Sequence, residues 1–278
     1  MSSVDTYPGA FWRLYRSEAR LVLGRRRNIA LLVVLAIVPL LIAVGVASSR
    51  HQDSGGPAFL GQITGNGLFL VFTALTVCTP LFLPLVVGVV AGDSIAGEAG
   101  TGTLRYLLTL PVTRGRLLVA KTLGTLTFTA VSVLVVAVSG LLAGAAFFGL
   151  HNVTLLSGDT VSLGNGIGRA GLIALYLVVA LFGLAAIGLF VSTITENAIA
   201  AMATTVGLAV FSLVLDSVPQ LSAIHGLLLT HNWLGFGELL RTQVDSAALL
   251  RWSALHLAYA AVFLSLAYAR LTTKDVTS

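Results

Sequence analysis

Gly115, Lys121 and Thr122 occupy three of the fixed positions of a phosphate-binding loop, in which flexible glycines let backbone N–H groups cradle phosphate and the lysine reaches its oxygens. Ala120 stands where the second glycine belongs, and no buried strand precedes the segment, which runs instead into a long apolar stretch. Nucleotide binding by this chain alone is therefore not expected. Other residues with chemical capacity are few. Of the histidines His51, His151, His225, His231 and His256, only His225 and His231 approach the several donors that a metal needs. Interfacial or capping roles are the simpler expectation, so no metal ligand, catalytic residue or cofactor-binding residue is assigned.

The elements that position these residues are set by composition. The 278 residues are 56% hydrophobic and 10% charged, with a mean hydropathy of +0.96, which is too little charge to cover a soluble globule. The apolar runs exceed the roughly 20 residues that cross about 30 Å of hydrocarbon, whereas barrel strands would alternate over about 10. An all-α integral membrane bundle follows, with six spans expected at 28–47, 68–91, 122–150, 170–193, 198–215 and 252–269. The start has no short apolar region followed by a small-residue cleavage site, so the first span is expected to act as the insertion signal.

Six spans place both termini on one side. Twelve of the sixteen Lys and Arg fall in the segments of that side, and Arg50, Arg169, Arg241 and Arg251 make up the other set. The positive-inside tendency makes the termini cytoplasmic and the histidines extracytoplasmic, and the expected home of this multi-pass chain is a prokaryotic plasma membrane. The same placement explains a pI near 9.8 through anionic lipid, without a nucleic-acid partner. Cys78 lies inside the second span and forms no intrachain disulfide.

Residues 1–27 read as a cytoplasmic interfacial helix: Phe11, Trp12, Tyr15, Ala19, Val22 and Leu23 share one helical face, and Arg13, Arg16 and Arg20 another. Residues 28–278 form the six-span domain. Within it, Thr195-Glu196-Asn197 make a tight turn that pairs spans four and five, with Gly183, Gly188, Ala200, Ala203 and Gly207 as small packing surfaces. The stretch 216–251 is apolar yet broken by Pro219, Gly226, Gly235 and Gly237, which suits short helices dipping into the outer leaflet. Thr73, Thr76, Thr79, Thr204, Thr205 and Ser212 offer hydroxyls that either line a pathway or bond to carbonyls one turn back. Ionisable residues are nearly absent from the spans, which speaks against a proton-coupled carrier and against a membrane enzyme.

The loop at 92–121 carries the most specific pattern: Glu98, Gly102-Thr103-Leu104, Leu107-Leu108, Pro111-Val112-Thr113-Arg114 and Lys121. This order resembles the first cytoplasmic loop of ABC-2-type transporter permeases. The position of the broken stretch resembles the re-entrant pair of the same family. The resemblance implies an ABC-2, or type V, exporter-like fold with an elbow helix, a cytoplasmic coupling helix and re-entrant outer helices. It also implies two separate ABC ATPase subunits that hold ATP and Mg, and a second permease subunit, the same or homologous. Leu104, Leu107 and Leu108 share a face of a short helix over 103–110, ended by Pro111, and are expected to dock on the ATPase with Arg105 and Arg114 at the rim. Glu98 is expected to orient the loop by pairing with Arg105 or Arg114.

The function expected is that of a non-catalytic permease subunit that exports an amphipathic or hydrophobic substrate. The alternatives are a permease of a membrane-assembly or metal-enzyme maturation complex, and an ATP-independent channel or secondary carrier.

Overall fold

The computed structural model describes residues 9–49, 66–100, 113–154 and 158–273. Helix α1 spans Ala10–Gly24 and breaks at Arg25, whose backbone is extended, before α2, Arg26–Ser49. Then follow α3, Leu68–Cys78, α4, Phe82–Gly100, and α5, Arg114–Phe148. A two-residue antiparallel pair, β1 (Val153–Thr154) and β2 (Thr160–Val161), leads into α6, Leu163–Ile194. Helix α7 is Ala198–Asp216, α8 is Ser222–His225 and α9 is Ser246–Thr273. Short 3-10 helices at Pro219–Leu221 and Trp233–Leu240 flank α8.

Among the described residues, six helices, α2, α4, α5, α6, α7 and α9, are long and apolar enough to cross a membrane. The number agrees with the sequence, but the second span differs from expectation. Residues 68–91 are two helices, because Pro80 has no N–H to continue the ladder and α3 stops at Cys78. Helix α4 restarts at Phe82 and runs on to Gly100. The expected loop at 92–121 is therefore helical at both ends, and only 101–112 is left, outside the described residues. Its polar residues extend the helix because they are paired there, as shown below.

Helix α6 is the most enclosed span, with α4 next, whereas α2, α7 and α9 show most of their surface to the outside. Close approach at the centre depends on glycine. A Cβ on Gly92 of α4 would stand 2.7 Å from the backbone nitrogen of Met202 and 2.8 Å from its Cα, and one on Gly188 would stand 2.6 Å from the Cβ of Ala91. Gly183 instead faces α9, where a Cβ would lie 3.2 Å from the carbonyl of His256. Ala200, Ala203 and Gly207, expected to serve the hairpin, lie on the exposed side of α7. The α6–α7 turn is held by Asn197, whose side chain accepts from the N–H groups of Ile199 and Ala200 at 3.0 and 3.2 Å.

The two ends of the bundle are distinct. The α1–α2 break, the end of α4, the start of α5, the α6–α7 turn and the end of α9 meet at one end, called here the termini end. At the far end, Asn66 Nδ2 donates to the carbonyls of His151 and Asn152, both at 2.9 Å, and Arg169 donates to the carbonyls of Leu239 and Arg241. The 216–251 stretch is packed rather than loose: Trp233, Phe236, Leu239 and Leu240 are buried, and Tyr176 donates to the Asn232 carbonyl.

Gly92→Ala is expected to lower stability by about 1–3 kcal/mol, since the α4–α7 backbones must separate. Gly171→Ala, where a Cβ meets nothing, should be neutral or slightly stabilising. Thermal unfolding in nanodiscs checks this, and equal melting of wild type and Gly92→Ala would contradict the packing argument.

Candidate functional site

The termini end gathers charges that the sequence left scattered. Lys121, in the second turn of α5, is 2% exposed, and its Nζ lies 2.7 Å from Glu98 Oε1 near the end of α4 and 3.4 Å from Glu18 Oε2 on α1. Glu18 and Glu98 are each 7% exposed. A buried ammonium with no partner would be prohibitive, so the lysine requires both carboxylates to be near it. Helix α1 meets this need by presenting Glu18 to α5 beside Gly124, where the two helices lie in van der Waals range. Tyr15 Oη, 2.8 Å from Thr127 Oγ1, fixes the same crossing.

A second cluster lies one to two turns further along α4. Buried Asp93 takes Arg25 and Arg27 together, with Arg27 Nη2 at 2.7 Å from its Oδ2. Arg25 is the residue at the α1–α2 break, so the bend and the ion pair form together. Asn28 secures it by donating to the Val22 carbonyl across the break at 2.7 Å. Ser192 Oγ accepts from the N–H groups of Ile95 and Ala96 at 2.9 and 2.7 Å, which joins the end of α6 to the same turn of α4. Glu18, Asp93, Glu98, Lys121, Arg25 and Arg27 share the wall of a cavity of about 10 Å³, the size of one water.

Of the residues expected to couple, Glu98 and Lys121 are brought together as an ion pair. Arg114, expected at a docking rim, donates to the carbonyls of Leu271 and Thr272 at 2.6 and 3.0 Å. It thereby caps the C-terminus of α9, where carbonyls lack helical partners and the dipole favours a cation. Thr103, Leu104, Arg105, Leu107, Leu108 and Pro111 lie outside the described residues.

The hydroxyls expected to line a pathway divide by location. Thr73, Thr76, Thr79 and Thr205 donate to the carbonyl one turn back, at 2.6–3.1 Å. Thr204 is exposed, and Ser212 pairs with Thr230 at 2.9 Å. His256, expected at an outer interface, is fully buried in α9, and neither ring nitrogen has a hydrogen-bond partner among the described residues.

The sequence reading missed Glu18, Asp93, Arg25, Arg27 and Ser192. A signal existed for Glu18, a single carboxylate among Arg13, Arg16 and Arg20 on an otherwise basic helix. Asp93 follows an apolar run that carries no other charge from Leu68 onward, so its placement in the span was also open to inference.

Among the described residues, six long apolar helices, an amphipathic helix crossing them at one end and a buried ion cluster at that crossing define a multi-span membrane protein. The chain belongs to the ABC-2 family of transporter proteins, whose family model matches residues 12–276. It is similar to a Probable ABC transporter permease protein NosY of Pseudomonas aeruginosa, 34% identical over 113 residues, or 41% of this chain and 38% of that protein. A protein of the same name from Stutzerimonas stutzeri is 31% identical over 113 residues, or 41% of this chain and 37% of that protein. The matched stretch thus spans less than two-fifths of either relative.

Lys121→Met leaves two buried carboxylates facing each other and should cost about 3–5 kcal/mol, read as a lowered melting temperature. Neutralising the whole cluster, as Glu18→Leu with Glu98→Leu and Lys121→Met, should recover most of that loss. Wild-type melting in the single Lys121→Met variant would show that the cluster is not what holds α1, α4 and α5 together.

Proposed function

We propose that the chain is the transmembrane subunit of an ATP-driven exporter, working with a second permease subunit and two separate ATPase subunits, with both termini in the cytoplasm. The observation that carries this reading is the Glu18–Lys121–Glu98 cluster, which stands on both flanks of residues 101–112. Any force applied to that segment by a closing ATPase reaches α4 through Glu98 and α5 through Lys121, and their shared contact passes it to α1. An ion cluster shielded from water resists being pulled apart, so the three helices move as one body. The second clamp at Asp93 extends the body to α2.

Other features support the finer parts of the reading. The excess of Lys and Arg at the termini end supports its cytoplasmic placement. The outward stripe of Ala200, Ala203 and Gly207 on the little-buried α7 suits close contact with another permease subunit. Thr76 is exposed yet gives its hydroxyl to the Phe72 carbonyl of its own helix, which suits a hydrophobic or amphipathic substrate.

The docking part rests on Leu104, Leu107 and Leu108. Burial of a leucine contributes roughly 1.5–3 kcal/mol, so Leu107→Ser with Leu108→Ser should weaken ATPase binding by well over about tenfold. The thermal stability of the isolated permease should be unchanged. Co-purification of the ATPase together with its stimulated hydrolysis is the measurement. Full ATPase retention and normal stimulation in the double variant would overturn the docking role.

A further inference from the structure

Asp216 is the last residue of α7, His225 the last of α8, and His231 lies in the turns before Trp233–Leu240. The chain folds back between them, so that one ligand atom of each lies within 4.8 Å of the other two. We propose that these three residues form a binding site for a borderline transition-metal dication, of the Zn2+ or Cu2+ kind, at the far end of the bundle. The site is independent of the transport reading, which concerns the opposite end.

The first support is the orientation of His225. Its Nε2 lies 3.1 Å from the carbonyl of Val218, a group that only accepts, so in the neutral ring Nε2 carries the proton and Nδ1 keeps its lone pair. That lone pair is directed to the side of Asp216, whose Oδ1 is 3.9 Å away. Imidazoles that bind metals are held in this way, with the other N–H given to a carbonyl or carboxylate.

The second support is spacing. His231 presents its own Nδ1 to the same Asp216 Oδ1, at 2.5 Å, and the two imidazole rings are 5.6 Å apart between centres. Bonds of about 2.0–2.2 Å in a tetrahedral site put ligand atoms about 3.4 Å from one another. The distances of 2.5 and 3.9 Å bracket that value, so small rotations of Asp216 and His231 admit a cation in place of the proton they share.

The third support is the frame and its opening. Ser212 Oγ, one turn before Asp216, bonds Thr230 Oγ1 at 2.9 Å, which anchors the residue preceding His231 to α7. The N–H of Leu228 donates to the His225 carbonyl at 3.0 Å and fixes the intervening turn. Side-chain exposures of 16%, 22% and 39% for His225, Asp216 and His231 leave one side open to water. Three protein ligands with an open position describe an exchangeable site rather than a closed structural one. Two imidazoles with one carboxylate favour zinc- or copper-like ions over calcium or magnesium, which take oxygen ligands.

The test uses the full chain in nanodiscs, purified without a histidine tag, and titrated with Zn2+ and with Cu2+ in competition against a chelating dye. One equivalent per chain is expected to bind at micromolar affinity or tighter, and the metal should raise the melting temperature. Asp216→Asn, His225→Ala and His231→Ala should each weaken binding by at least about tenfold, while His51→Ala and His151→Ala should not. Melting without metal identifies any variant that misfolds, for which the milder His225→Asn or His231→Asn replaces alanine. Co2+ should give the intense visible absorption of a tetrahedral site, lost in the His225→Ala with His231→Ala double variant. Absence of saturable binding, or equal binding by that double variant, would leave a plain hydrogen-bonded His–Asp cluster and overturn the proposal.

Discussion

Lys121 is an ammonium with 2% of its surface exposed, placed where a membrane helix begins. Its charge is tolerable only while two carboxylates remain against it, and those carboxylates sit on α1 and α4. The position of the amphipathic helix, the extension of α4 to Gly100 and the start of α5 are therefore one constraint. The Asp93 clamp adds the α1–α2 bend, since Arg25 and Arg27 reach Asp93 only when the chain turns at Arg25. The glycine contacts at Gly92 and Gly188 then bring α7 and α6 against a helix that is already fixed.

The far end is joined by different chemistry. There the links among α3, the β1 connector, α6 and the 216–251 stretch are amide, hydroxyl and guanidinium bonds to backbone carbonyls, from Asn66, Tyr176, Tyr259 and Arg169. Such links anchor loops to helices without tying the helices into one ionic body. The asymmetry suits a transport subunit that receives force at one end and changes shape at the other. It also leaves Asp216, His225 and His231 on a framed but open surface away from that force.

Much of this was legible in the sequence, because hydrophobic length alone specifies spans. Six long apolar helices, the amphipathic helix before them and the Thr195–Asn197 turn follow from patterns of apolar and capping residues. Pro80 could also be read as a break, although the apolar content of Phe82 to Ala91 concealed it within one run. The polar residues from Asp93 to Glu98 were assigned to a loop because a charge in a span is costly by itself, and no local pattern reveals the partner that removes the cost. Lys121 and Glu18 are separated by 103 positions, so their pairing is a tertiary fact. Arg114 reads as a loop cation for the same reason: the carbonyls of Leu271 and Thr272 that it bonds lie at the end of the last helix. The histidine cluster was half legible, since His225 and His231 are near in sequence but Asp216 reads as a helix terminus.

On the proposed function, the Lys121 cluster transmits motion from the termini end to the far end. Double electron–electron resonance between spin labels at Thr160 and Ser246, exposed sites at the far end, measures this directly in the assembled complex. On trapping the ATPases with ATP and vanadate, the distance distribution should shift in the otherwise native chain. It should stay in its nucleotide-free form in Lys121→Met, held below its melting temperature with ATPases still bound and hydrolysing. An equal shift in Lys121→Met would contradict the account, because motion would then reach the far end without the cluster.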